Sequence, residues 1–133
     1  SRRVFAAYRD DVVVQPYVTG RNARASFLGL KPDTGVEALG IVFVESGSDF
    51  QTMEDSLALY GDTGEAARAA GTYAEPVLLP VAASQPRADA RIRRIAQSLI
   101  AGLGLRDVFS VDFRIEADDS IHLIEFEVCP GLP

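Results

Sequence analysis

The chain has 133 residues, 47% of them hydrophobic, and a formal net charge of −6 at pH 7 with a pI near 4.7. Its length fits one domain or one piece of a larger one, and its apolar content argues against disorder. The acidic balance argues against duplex nucleic acid as a partner, because phosphate binding needs a concentrated basic surface. No apolar run approaches the ~18–20 residues that a membrane-spanning helix needs, and no signal peptide is evident. The single cysteine, Cys129, cannot form an internal disulfide, which fits a reducing, cytoplasmic setting. The chain starts without methionine and stops at a strand-to-turn junction, so it reads as a fragment.

In chain order, residues 2–9 (RRVFAAYR) read as the end of a helix. The run VVVQPYV at 12–18 predicts a buried-type strand, and Pro16 assigns it to an edge or a strand end. Thr19-Gly20 turns into a second strand at 22–30, and Lys31-Pro32-Asp33-Thr34-Gly35 is a strong turn signal before a third strand at 37–45. Short turns between consecutive strands suggest an antiparallel meander. Residues 46–76 are rich in Gly, Asp, Ser and Ala, and a loop of that length in a compact domain is usually functional or mobile. Residues 86–103 form the clearest helix. Ala88, Ile92, Ile95, Ala96, Leu99, Ile100 and Leu103 share one face, Ser84 is a plausible cap, and Gly104 ends it. Arg87, Arg91, Arg93 and Arg94 read as a solvated basic face rather than an anion site.

Two strands close the chain, DVFSVDFRIE at 107–116 and SIHLIEFEV at 120–128. A two-residue turn at Asp118-Asp119 sets Asp112 opposite Glu125, Ser110 opposite Glu127 and Arg114 opposite Leu123. The other face then pairs Phe109 with Val128, Val111 with Phe126, Phe113 with Ile124 and Ile115 with His122, and a one-residue slip would mix the two faces. Glu125 and Glu127 point the same way, so with Asp112 they make a three-carboxylate cluster near Arg114. Hard oxygen donors at this density suit Mg²⁺. An exposed acidic hairpin partly neutralised by Arg114 is the alternative. His122 reads as a core or edge histidine and Cys129 as a turn residue, each without a partner for catalysis.

The stretch LGLRDVFSVDFRIEADDSIHLIEFEVCPGLP resembles the C-terminal signature of ATP-grasp enzymes, most closely the D-alanine–D-alanine ligase-like branch. That branch carries a leucine-glycine helix end, an Arg-x-Asp strand, and a Glu-x-Asn strand leading into Pro-Gly. The alignment runs without gaps over residues 103–131, and VVVQPYVTGRNARASFLGL is similar to the branch's hinge. The resemblance implies an α+β fold, the large subdomain of an ATP-grasp domain, with an antiparallel sheet of about five strands backed by helices. Residues 1–133 would be its C-terminal part, without the substrate domain and the small ATP-clamp subdomain of the family. It implies a ligase that joins a carboxylate to an amine through an acyl phosphate, using ATP and Mg²⁺ or Mn²⁺. Asp112 and Glu125 match two metal ligands, and Glu127 matches the third, usually an asparagine. Gln15, Pro16, Tyr17 and Val18 match the adenine-recognising hinge, and Asn22 the ribose-binding glutamate.

The departures from the family are specific. Ser110 stands where the family has an arginine for the transferring phosphate, and the family's lysine-tyrosine pair falls near Ser56-Leu57. Arg114, two residues after Asp112 on the same strand face, is the candidate catalytic replacement for the lost cation, and Arg24 the second. These changes point to a divergent ligase with another substrate pair, or to a catalytically silent nucleotide- and Mg-binding module. Gly61-Asp62-Thr63-Gly64 lacks the phosphate-loop pattern and reads as a flexible turn, with a lid over ATP as the other reading. The implied partners are ATP and small carboxylate and amine substrates, with neither nucleic acid nor membrane. A homodimer of the full-length parent is left open.

Overall fold

A computed structural model describes residues 2–9, 11–29, 37–45 and 76–128. The turn expected at 31–35, nearly all of the 46–76 loop, the Ser56-Leu57 region, the 61–64 turn and Cys129 lie outside these residues. The elements are α1 (Arg2–Tyr8), β1 (Arg21–Gly29), β2 (Glu37–Glu45), β3 (Val77–Pro80), α2 (Val81–Ser84), α3 (Pro86–Leu103), β4 (Asp107–Ile115) and β5 (Ile121–Glu127). The strands form one antiparallel five-stranded sheet in the order β3-β2-β1-β4-β5. The architecture is α+β, as the sequence implies.

One member of the sheet differs from expectation. Residues 12–18 form no strand, and Val13 and Val14 are each 79% exposed. A strand requires a neighbour. Both sides of β1 are taken by β2 and β4, and Pro16 has no N–H to give a ladder. The fifth strand is instead β3, the short run Val-Leu-Leu-Pro, which pairs with the end of β2. The sheet is therefore not a simple meander, because the central strand β1 joins β2 on one side and the distant β4 on the other.

The core follows from alternation along three strands. Odd-numbered residues of β1 and β4 point to one face, where Ala23 lies between Phe43 and Phe113, and Ala25 between Ile41 and Val111. Phe27 lies between Ala38 and Phe109, and its ring stacks on Phe109 at 5.3 Å between centroids. A bulge at Leu39 lets Ala38 take that place beside Phe27. In the first two rows a small alanine lies between larger side chains, and in the third Ala38 stands beside the Phe27–Phe109 stack. From α3, Ala88, Ile92 and Ala96 close the layer, with Ile95, Leu99 and Ile100 half-buried beside them.

Helix α3 spans the residues expected from its periodicity. Pro86 opens it and Gly104 ends it in the left-handed region (φ 67°), donating its N–H to the Ile100 carbonyl at 3.0 Å. Ser84 is not the cap. It ends α2, and Gln85 takes the N-cap position without a side-chain bond to the helix. The Gln85 amide turns instead to the hairpin, donating to the Glu116 carbonyl at 2.7 Å. Leu103, expected on the buried face, is 57% exposed at the helix end. The arginines of the polar face are exposed; Arg93 pairs with Asp89 one turn away. Among the described residues no helix is long and apolar enough to cross a membrane.

Gly20 marks where the chain enters β1. Its φ is 117°, and a Cβ there would sit 2.4 Å from the Ile115 carbonyl oxygen. Gly20→Ala therefore combines a disfavoured conformation with a backbone clash and should cost about 1–3 kcal/mol or more. Ala25→Leu, which overfills the row between Ile41 and Val111, should cost about 1–3 kcal/mol. Denaturant unfolding of the two variants measures both.

Candidate functional site

The sheet face turned away from α3 collects the polar residues. β1 contributes Asn22, Arg24 and Ser26, and β4 sets Arg114, Asp112 and Ser110 directly opposite them. β5 adds Glu125 opposite Asp112 and Glu127 opposite Ser110. The cross-strand placement expected for the three carboxylates is present, but the hairpin reaches it by another route. The loop has three residues, Ala117 to Asp119, closed by Glu116 N–H to the Ser120 carbonyl at 2.9 Å, with Asp119 in the left-handed region (φ 67°). That loop pairs Ile115 with Ile121, Arg114 with His122 and Phe113 with Leu123. A bulge at Ile124 then absorbs one residue of β5 and restores the expected register at Asp112.

Two expectations are corrected by this geometry. His122 lies opposite Arg114 on the polar face, not opposite Ile115 in the core. Its Nε2 is shielded from solvent, with Glu116 Oε2 3.6 Å away and no hydrogen-bond partner. Beyond Ile121, which packs against the core, the apolar residues of β5 stay outside it. Leu123, Ile124, Phe126 and Val128 are 44–57% exposed, because the buried layer is built from β1, β2, β4 and the helices.

The two arginines have different roles from those the strand spacing suggests. Arg114 is buried, at 7% exposure, and does not lean back toward Asp112. Its Nε donates to the Val18 carbonyl at 2.8 Å, Nη1 to Asn22 Oδ1 at 2.7 Å, and Nη2 to the Tyr17 hydroxyl at 3.0 Å. Its guanidinium also lies 5.3 Å from the centre of the Tyr17 ring. Arg114 thus ties the segment 17–22 onto β4, bringing three of the expected nucleotide-binding residues together. Gln15 and Pro16 stay exposed beside them.

Arg24 is the cation at the acidic site. It grips Asp112 in a bidentate pair, Nε to Oδ1 and Nη2 to Oδ2, each at 2.7 Å. Such fork-to-carboxylate pairs are among the stronger charge-assisted contacts. Glu125 and Glu127 are exposed, and Ser110 Oγ lies 3.5 Å from Glu127 Oε2. Among the described residues no group of three or more acidic, histidine or cysteine side chains is arranged to hold a metal ion. The donors suit a hard divalent cation by chemistry and share one face, but Asp112 is already engaged. Sequence reasoning placed Arg24 on this face, and only the β1–β4 pairing brings it to Asp112.

A shallow groove of about 660 Å³ runs along α3, lined by Arg94, Ile95, Leu99 and Leu103 among others. It belongs to the helix layer, across the sheet from the carboxylates; its lining includes the Ser98 hydroxyl, which donates to the Arg94 carbonyl at 3.1 Å, and no acidic side chain. At the hairpin tip, the Ser120 hydroxyl and backbone N–H hydrogen-bond the exposed Asp118 carboxylate and hold its pKa below the usual 3.8.

No family model matches the chain, and no curated protein matches it either. Its fold is similar to that of an L-amino acid ligase from Bacillus licheniformis, with a TM-score of 0.53 and 15% sequence identity. The match covers 84% of this chain and 23% of that one, so the chain spans about a quarter of the ligase's length. The likeness is one of fold alone and does not select the D-alanine–D-alanine ligase-like branch.

Arg114→Ala removes the donors to the Val18 carbonyl, Asn22 and Tyr17 and should cost about 2–3 kcal/mol of stability, the scale of hydrogen bonds to a charged group. Arg114→Lys, which keeps the charge, should recover part of it; unfolding curves give both values. Ser120→Ala should raise the Asp118 pKa toward 3.8, as read by NMR titration. A depressed carboxylate pKa contributes stability above the unfolded-state pKa, and that contribution disappears as pH falls through the folded-state value. The difference between wild type and Ser120→Ala should therefore vanish in strong acid.

Proposed function

We propose that this chain is the C-terminal part of an ATP-grasp domain in a ligase that joins a carboxylate to an amine at the expense of ATP. The observation that carries the reading is the pairing of Asp112 with Glu125 on the open face, with Glu127 beside them. The fold likeness to an amino acid ligase and the sequence resemblance over the final hairpin support it. Asp112, Glu125 and Glu127 would hold Mg²⁺, which offsets phosphate charge when bound.

In this reading the residues 15–18 border the adenine and Asn22 the ribose. Arg114 holds Tyr17, Val18 and Asn22 against β4, fixing the nucleotide's distance from the carboxylates. It acts by positioning rather than by touching the phosphates. The carboxylate substrate attacks the γ-phosphorus, ADP leaves, and the amine then displaces phosphate from the acyl phosphate. Catalysis of the first step is largely a matter of alignment and charge stabilisation. Relative to the family pattern Ser110 removes a positive charge and Glu127 adds a negative one, which favours a substrate pair other than two D-alanines.

Calorimetry of the full-length protein with ATP, with and without Mg²⁺, tests the reading. ATP should bind weakly alone and much better with the metal; equal binding would return the chain to a non-catalytic nucleotide module. Within the hinge, Val18→Trp should weaken ATP more than Gln15→Ala, and the reverse order of affinities would move the adenine elsewhere.

A further inference from the structure

The geometry points to Arg24 as a resident cation that competes with a divalent metal ion for Asp112. The identity of the competitor rests on the ligase reading above; the competition itself rests on the Arg24–Asp112 pair. Both carboxylate oxygens accept from the one guanidinium at 2.7 Å. Arg24 sits directly opposite Asp112 in a ladder that runs without a register shift from Arg21–Ile115 to Gly29–Asp107. The backbone therefore keeps the two groups together, and only rotation of the arginine side chain separates them.

That rotation is open to Arg24 and closed to Arg114. The Arg24 side chain is 39% exposed and its partner 26%, so the pair stands at solvent. Arg114 is buried under its three acceptors. A divalent ion approaching Glu125 and Glu127 meets the Arg24 guanidinium over Asp112, and recruiting Asp112 requires breaking the bidentate pair. An anionic ligand such as a nucleotide polyphosphate eases the exchange, because the displaced guanidinium gains a new partner. Metal and polyphosphate then bind with positive coupling, and the coupling is reciprocal. The free protein is thereby protected from loading a metal without its nucleotide.

The test uses Mn²⁺ alone as probe, followed by its electron paramagnetic resonance signal, on the full-length protein without nucleotide. Arg24→Ala should bind Mn²⁺ about 10- to 100-fold more tightly than wild type, the range expected for removing hydrogen bonds to a charged group. Arg24→Gln should do the same, and it guards against a folding defect in the alanine variant. Arg24→Lys, which keeps the charge and loses the fork, should fall between. Metal affinity that is unchanged or weaker in folded Arg24→Ala or Arg24→Gln overturns the competition. In that outcome the ligase reading stands if wild type binds Mn²⁺ and Glu125→Gln abolishes it. If neither wild type nor the Arg24 variants bind Mn²⁺, with or without ATP, the ligase reading fails and the competition falls with it.

Discussion

The pairing of β1 with β4 is the constraint on which the rest depends. Its nine residue pairs run from Arg21–Ile115 to Gly29–Asp107 without a bulge, whereas the β1–β2 and β4–β5 ladders each carry one. Because strand side chains alternate, this one register sets both faces at once. On one face it places Ala23 and Ala25 beside Phe113 and Val111, and on the other Asn22 and Arg24 opposite Arg114 and Asp112. A slip of one residue would put the arginines into the phenylalanine rows. The hydrophobic rows therefore enforce the placement of Asn22 and Arg24 opposite Arg114 and Asp112.

The site's electrostatics divide between two arginines on neighbouring strands. Each stands opposite a polar partner, yet they are used differently because their surroundings differ. Arg114 is covered by the segment that enters β1 and donates there to the Tyr17 and Asn22 side chains and the Val18 carbonyl. Burial of a guanidinium is tolerated only when its donors are met in this way. Arg24 faces the open side and a carboxylate, where solvent lowers the cost of parting. The first is a structural tie between nucleotide-binding and acidic residues, and the second a cation held over the acidic site itself.

The hairpin between β4 and β5 shows how a correct pairing can arise through compensating irregularities. A three-residue loop displaces the register near the turn, and the bulge at Ile124 displaces it back before Asp112 is reached. Glu125 and Glu127 end on the same face as Asp112 because both irregularities are present. His122 and Leu123 lie between them and change faces. The edge position of β5 leaves its apolar side chains exposed, and adds flexibility of approach to the two glutamates on its other side.

The sequence by itself determined the elements that carry their own period or punctuation. Helix α3 was legible from Ala88, Ile92 and Ala96 with Pro86 and Gly104 at its ends, and β1 and β2 from alternation between turn signals, each to within a residue or so. The opposition of Asp112 to Glu125 was legible because apolar and acidic positions alternate in both strands. Tertiary structure decided what depends on neighbours distant in sequence. The run 12–18 has the composition of a strand, but both sides of the β1 that follows it are taken by β2 and β4, and the four residues of β3 are too short to show a period of their own. The hydrogen-bond partners described for Arg24 and Arg114 lie 88 or more residues away, a separation that spacing along one strand cannot encode. A long side chain reaches several neighbours in space, and which one it meets is fixed only when the strands are laid side by side.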